Sequence, residues 1–185
     1  NDSESQGTFW VDIPDIASST QSIQIQRGVG TSTNGGSAFG ATVNLQTNSL
    51  QADPYAEIMI GGGSFNTRRS TLRAGTGLIN NHWAFDAKVS SITSDGYVER
   101  AASDLSSYYL SGGYYGKNTV IKAITFGGHE KTYQSWYGVD SATMQTNRRM
   151  NFAGAIYNPD GTIARYYDNQ VDDYNQDHYQ LHISQ

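Results

Sequence analysis

Trp83-Ala-Phe-Asp-Ala-Lys-Val-Ser-Ser-Ile-Thr93 decides the fold. Trp83, Phe85, Ala87 and Val89 fall on one parity, and Asp86, Lys88 and Ser90 on the other. His82, just before the stretch, continues the polar parity. A period of two is that of a strand, whose successive side chains point to opposite faces of a sheet. The same pattern extends outward. Residues 69–78 set Leu72, Ala74, Thr76 and Leu78 against Arg69, Thr71 and Arg73. Residues 54–65 set Ala56, Ile58 and Ile60 against Tyr55, Glu57 and Met59. Residues 106–116 carry Tyr108, Leu110 and Tyr114 on one side. Residues 173–184 set Tyr179, Leu181 and Ile183 against Gln176, His178, Gln180 and His182. The run over 119–132 alternates less cleanly, with Val120, Ile121, Ile124 and Phe126. The sequence therefore predicts an all-β chain with six long strands, of about ten to thirteen residues against about five to six in soluble sheets.

The connections separate into two kinds. Asn80-Asn81 and Lys117-Asn118 are tight turns, where asparagine tolerates positive φ. Residues 95–104 form a longer connection, and residues 133–171 a much longer one with an Asn158-Pro-Asp-Gly161 turn. The hairpin at Asn66-Thr67 lies on the long-loop side yet is short. Short turns at one end and longer loops at the other belong to outer-membrane barrels. Six strands cannot close such a barrel, since about eight is the minimum, and an open edge in lipid leaves backbone groups unsatisfied. A membrane reading therefore makes this chain a piece of a larger one.

Composition bounds the function. Of 185 residues, 37% are hydrophobic and 16% charged, while glycine (20) and tyrosine (13) are abundant. That mixture disfavours a helical bundle. The chain has no cysteine, which excludes structural disulfides and thiolate metal sites. A net charge of −5 argues against a nucleic-acid partner. The start, Asn-Asp-Ser-Glu-Ser-Gln-Gly, has no basic or apolar stretch, so no signal peptide is legible; a removed leader or an excised piece is expected.

The N-terminal region has a different texture. Ile23-Gln-Ile-Gln-Arg27 and Ala41-Thr-Val-Asn-Leu-Gln46 read as strands around an irregular loop holding Gly28, Gly30, Gly35, Gly36 and Gly40. The whole segment, IQIQRGVGTSTNGGSAFGATVNL over 23–45, resembles the end of the plug domain of TonB-dependent outer-membrane receptors. Arg27-Gly28, Gly35, Ala38, Gly40 and Asn44 stand in register with that family's pattern. Gln24, Val29, Thr31, Asn34 and Ala41 depart from it, and Gln24 removes an acid. Ser64-Phe65-Asn66-Thr67 is similar to the family's first barrel hairpin, and Ser94-Asp95-Gly96-Tyr97 to the end of its third strand. The resemblance implies that residues 1–48 are the C-terminal part of a plug. It implies that 49–185 are the first six strands of a 22-stranded antiparallel transmembrane barrel. It also implies an outer-membrane location in a Gram-negative bacterium, import of a scarce ligand (siderophore, cobalamin, haem, glycan or peptide), and no enzymatic activity. The implied partners are membrane lipid, the rest of the receptor, and TonB through a segment outside this chain.

Particular residues take roles from this. The matching Arg27 is expected to hold plug to barrel, because a guanidinium fork pairs bidentately with carboxylates; the acids would lie on later strands. The glycines are expected to give backbone permissiveness, since no Lys-Ser/Thr or helix follows to make a phosphate cradle. Trp83, Phe85 and Val89 are expected to face lipid. Tyr133, Trp136, Tyr137, Tyr166 and Tyr167, beside Tyr157 in the long loop, are candidate ligand contacts, because aromatics beside Asn, Gln and Asp suit a sugar, chelate or peptide. An aromatic girdle with loop self-packing is the alternative for them. His178 and His182 lie about 13 Å apart along a strand, too far for one metal ion. They read as lumenal, and His82 and His129 as isolated polar residues. Asp168, Asp172, Asp173 and Asp177 read as a solvated acidic loop, with no calcium-loop spacing. No metal, cofactor or catalytic arrangement is expected. A soluble all-β adhesin or carbohydrate-binding module is the other reading, in which Trp83, Phe85 and Val89 would face a second sheet. A β-helix enzyme would need a fixed repeat, which the sequence lacks.

Overall fold

The computed structural model describes residues 13–28, 40–47, 50–133, 135, 137–169 and 171–185. It is all-β. A 3-10 turn, Ile16–Ser19, leads into β1 (Thr20–Arg27), which pairs antiparallel with β2 (Ala41–Thr47). Then come β3 (Tyr55–Gly63), β4 (Thr67–Gly75), β5 (Trp83–Ser94), β6 (Ser103–Tyr115) and β7 (Val120–Thr132). A loop with helix α1 (Ser141–Thr146) and the small hairpin β8 (Ala155–Tyr157) and β9 (Ile163–Tyr166) precedes β10 (Asp172–Ser184). The six long strands form one open antiparallel sheet in the order β10-β7-β6-β5-β4-β3. Apart from that loop it is a meander, because each short turn joins strands that pair.

Local chemistry explains the turns. Asn80 and Asn81 both adopt positive φ (50° and 58°), the geometry whose twist matches a two-residue hairpin. Phe65 and Asn66 do likewise at the β3–β4 hairpin. The long loop is not featureless. Asp140 caps α1 by accepting from the Thr143 N–H at 2.8 Å. The Asn158–Gly161 turn closes the β8–β9 hairpin, with Asn158 N–H donating to the Thr162 carbonyl at 2.8 Å.

The register sorts side chains into rows across the sheet. On one face, called outward here, Trp83, Tyr114, Ile121 and Ile183 form a row. The next holds Phe85, Gly112, Ala123 and Leu181. Above it run Ala56, Ala74, Ala87, Leu110, Thr125 and Tyr179, then Ile58, Leu72, Val89 and Tyr108. Ser70, Ser91, Ser106 and His129 end the apolar band, and Arg68, Thr93, Asp104, Lys131 and Asp173 follow. These apolar side chains are not a core: Ile58 is 71% exposed, Val89 52% and Leu181 66%. On the inward face Thr71, Lys88, Ser90, Ser107, Ser111 and Glu130 are buried. The sheet is thus inverted relative to a soluble one, whose buried face is apolar.

The band also slants. Its upper edge lies at Ile60 on β3 but at Tyr179 on β10, two rows lower. Two rows are about 13 Å along a strand, and five strand spacings are about 24 Å. The band therefore runs at roughly 30° to the rows, close to the strand tilt of about 35–45° in membrane barrels.

Candidate functional site

Two regions bring chemistry together. The first lies on the inward face, where residues 13–19 seat against the sheet. Ile13 and Ser19 are buried, and Asp15 holds φ at 57°. Asp15 Oδ1 accepts from Arg69 Nη2 at 2.8 Å. Lys88 Nζ donates to the Asp15 carbonyl and to Ser18 Oγ, both at 2.8 Å, and stands 3.7 Å from Asp15 Oδ2. The Asp15 and Lys88 side chains are 6% and 3% exposed. Pro14 lies so close to Gly128 that a Cβ there would overlap its ring. Alternation put Arg69 and Lys88 on the inward face from the sequence. Asp15 had no motif to mark it, so this contact was invisible there. Beside it, the Tyr55 hydroxyl donates to Asp86, and Arg73 stands 5.1 Å over the Tyr55 ring.

The second region joins the connections 95–102 and 133–171. The Arg100 guanidinium stacks on Tyr166 at 3.5 Å and donates to the carbonyls of Asn151 and Ala153. Asn147 Nδ2 donates to Glu99 Oε1 at 2.9 Å, and the fully buried Asn151 donates to the Glu99 carbonyl. Arg149 Nε donates to the Tyr97 carbonyl at 2.7 Å, with its guanidinium over Phe65. The two loops thereby become one body. Beside it lies a cavity of about 620 Å³ lined by Tyr133, Tyr167, Lys131, Asp104, Asp168 and Asn169 among others. Burial pushes the Tyr133 phenol above its ordinary value, keeping it a neutral donor at physiological pH.

The sequence candidates distribute unevenly. Tyr133 and Tyr167 share that cavity, and Tyr166 stands behind it on Arg100. Tyr137 is 67% exposed and apart from it. Trp136, Gly30, Gly35 and Gly36 lie outside the described residues. Gly28, at φ 83°, donates its N–H to the Gly40 carbonyl at 2.8 Å and closes the base of the glycine loop. Arg27 ends β1 exposed, with no ion pair among the described residues. Trp83, Phe85 and Val89 stay about half exposed on the outward face, Trp83 packing on Tyr114 at 5.0 Å.

His178 stacks on Phe126 at 4.9 Å and bonds Gln176 on the inward face. His129 pairs with Asp173 at 2.7 Å on the outward face, so neither is isolated or merely solvated. No group of three His, Asp or Glu poised for a metal occurs among the described residues.

No family model matches the chain. No curated protein matches it either. Among solved structures, P. aeruginosa FpvA bound to heterologous pyoverdines matches with a TM-score of 0.61 at 14% identity. The match covers 87% of this chain and 21% of that one, so the chain spans about a fifth of its neighbour's length. FpvA is a TonB-dependent receptor. A likeness at this identity shows a shared all-β fold and no more.

Proposed function

We propose that this chain is part of a TonB-dependent outer-membrane receptor that imports a scarce small molecule across a Gram-negative outer membrane. Residues 1–48 belong to its plug, and β3, β4, β5, β6, β7 and β10 are the first six strands of its barrel. The observation that carries the reading is the slanted apolar band on the outward face, opposite the polar face on which residues 13–19 sit. In water such a face would need a cover. Among the described residues the two other sheets do not supply one: β1–β2 lies across the inward face, and β8–β9 belongs to the loop body. The fold shared with FpvA supports the same reading, and its complex with a pyoverdine and iron supports a small-molecule ligand. The loop body and the plug apex would bind the ligand. TonB, acting through a segment outside this chain, would then rearrange the plug. Arg27 would meet carboxylates on strands beyond this chain. The action is binding and gating, without covalent chemistry.

The test uses the full polypeptide that contains this chain, reduced to one cysteine at either Leu181 or Gln180 and labelled with an environment-sensitive dye. These neighbours sit exposed on opposite faces. In vesicles, the dye at 181 should be quenched by brominated acyl chains, and the dye at 180 by an aqueous quencher. Equal aqueous quenching at both, from protein that stays in solution without detergent, would sink the receptor reading.

A further inference from the structure

We propose that the space between the hairpin β1–β2 and the wall is a binding site for an organic anion with an apolar body. The inference rests on the receptor reading above and adds a site separate from the loop body. The cavity there has a volume of about 560 Å³, within the roughly 300–1,000 Å³ of small-molecule sites. Its hairpin side is apolar, with Val43 and Leu45 of β2 beside Ile13 and Ile16. Its wall side is the inward face of β7 and β10. There Lys122 stands directly opposite His182, Ile124 opposite Gln180, and Phe126 opposite His178. Close-packed contacts leave few voids larger than a water molecule, so a space of this size is a place to be filled and not a finished interface.

The lining selects the sign of the charge. Lys122 is half-buried, and its ammonium has no ion pair or hydrogen bond among the described residues. No Asp or Glu is among the residues that line the cavity. Asp177 of β10 has the outward parity and accepts from the Tyr108 hydroxyl. The inward acids stand off: Asp86 is two strands from Ile124 in its row, about 10 Å, and Glu130 is four residues above Phe126, about 13 Å. A carboxylate would take a charge-assisted hydrogen bond from Lys122 and a second bond from the His182 ring. Its apolar body would lie between Val43 and Leu45 and the stacked rings of Phe126 and His178. A cation would meet Lys122 with no lining acid to balance it.

The site is distinct from the loop cavity. Phe126 and Lys131 are five residues apart on β7, about 17 Å along the strand, and Lys122 lies further still toward the short turn at Lys117-Asn118. A molecule moving down this wall from the loops would meet the second cavity after the first.

The test places the full polypeptide in phosphatidylcholine nanodiscs with its histidine rings labelled with carbon-13. His178→Gln and His182→Gln assign the two resonances. Titration with 2-naphthoate should shift both rings saturably, whereas 2-naphthylmethylammonium should shift neither. Lys122→Gln should weaken the 2-naphthoate response about tenfold, the order of one charge-assisted hydrogen bond. Val43→Trp, at a position now about half exposed, fills the cavity from the hairpin side and should abolish the response. Equal response to the anion and the cation would overturn the proposal and mark a merely apolar hole. No saturable shift of either ring would overturn it too, and would mean that another part of the polypeptide occupies the space and neutralises Lys122. Both results leave the receptor reading standing, because that reading is decided by the quenching at 180 and 181.

Discussion

The two faces of the six-stranded sheet have exchanged the usual environments. The outward face is apolar and exposed; the inward face is polar and covered. Ala84 and Lys88, both inward, are buried, while Phe85 and Val89 beside them are about half exposed. Hydrophobicity alone would have placed them the other way. The difference is the one that the proposed lipid exposure of the outward face requires, and the inward face is held by hydrogen bonds and ion pairs around a small apolar cluster of Ile13, Ala84, Tyr109 and Ile124.

The largest effect should come from charging the outward face. Leu110→Arg places a cation in the middle of the apolar band, where insertion should lose about 2–4 kcal/mol. Gln180→Arg, at an exposed position of the inward face, should lose much less. Folding titrations into lipid vesicles would measure both, and equal losses would break the comparison. Next comes the inward ion cluster. Lys88→Met removes the bonds to the Asp15 carbonyl and Ser18 and leaves the Asp15 carboxylate with Arg69 alone. The docking of residues 13–19 should weaken by about 1–3 kcal/mol. Amide exchange should rise there and not in β5, whereas a rise throughout the sheet would show that Lys88 supports the wall and not the contact.

Gly128→Ala tests the same contact from the other side. Its Cβ meets the Pro14 ring, so the turn must shift, at about 1 kcal/mol or more. Protease cleavage before Thr20 should accelerate, and unchanged cleavage would mean the turn does not depend on that approach. The smallest effect concerns the loop body. Asp160 accepts from the Thr162 N–H and hydroxyl, which hold its carboxyl below the ordinary carboxylate range. A depressed acid contributes its stability above its unfolded pKa and loses it as pH falls through the folded value. The Thr162 amide should therefore exchange faster, relative to chemistry, as pH falls below about 4, while amides of β5 hold. A matching loss in β5 would remove the distinction between loop and sheet.

Much of this was legible in the residues, and the reason is periodicity. A strand has a period of two. Trp83, Phe85 and Val89 therefore had to share a face, and Lys88 had to oppose them. Asn80-Asn81 announced its own turn, because few other residues accept positive φ. The cation on Lys88 was legible, but its partner was not. Asp15 lies 73 residues away in sequence and inside no repeating pattern. The loop body was opaque for a similar reason. Arg100, Glu99, Asn147 and Asn151 meet across a gap of about fifty residues, and no spacing rule links two irregular loops. His129 and Asp173 looked isolated and solvated because only strand register makes them neighbours.

By itself, then, the sequence determined the strands, their two faces and the turns between them, since all three depend on neighbours within a few residues. The tertiary structure alone decided which face stays open, how the band slants, and that Asp15, and not a residue of the glycine loop, meets the wall among the described residues. Those outcomes depend on register and on which distant groups arrive at one place, and local periodicity carries no record of either.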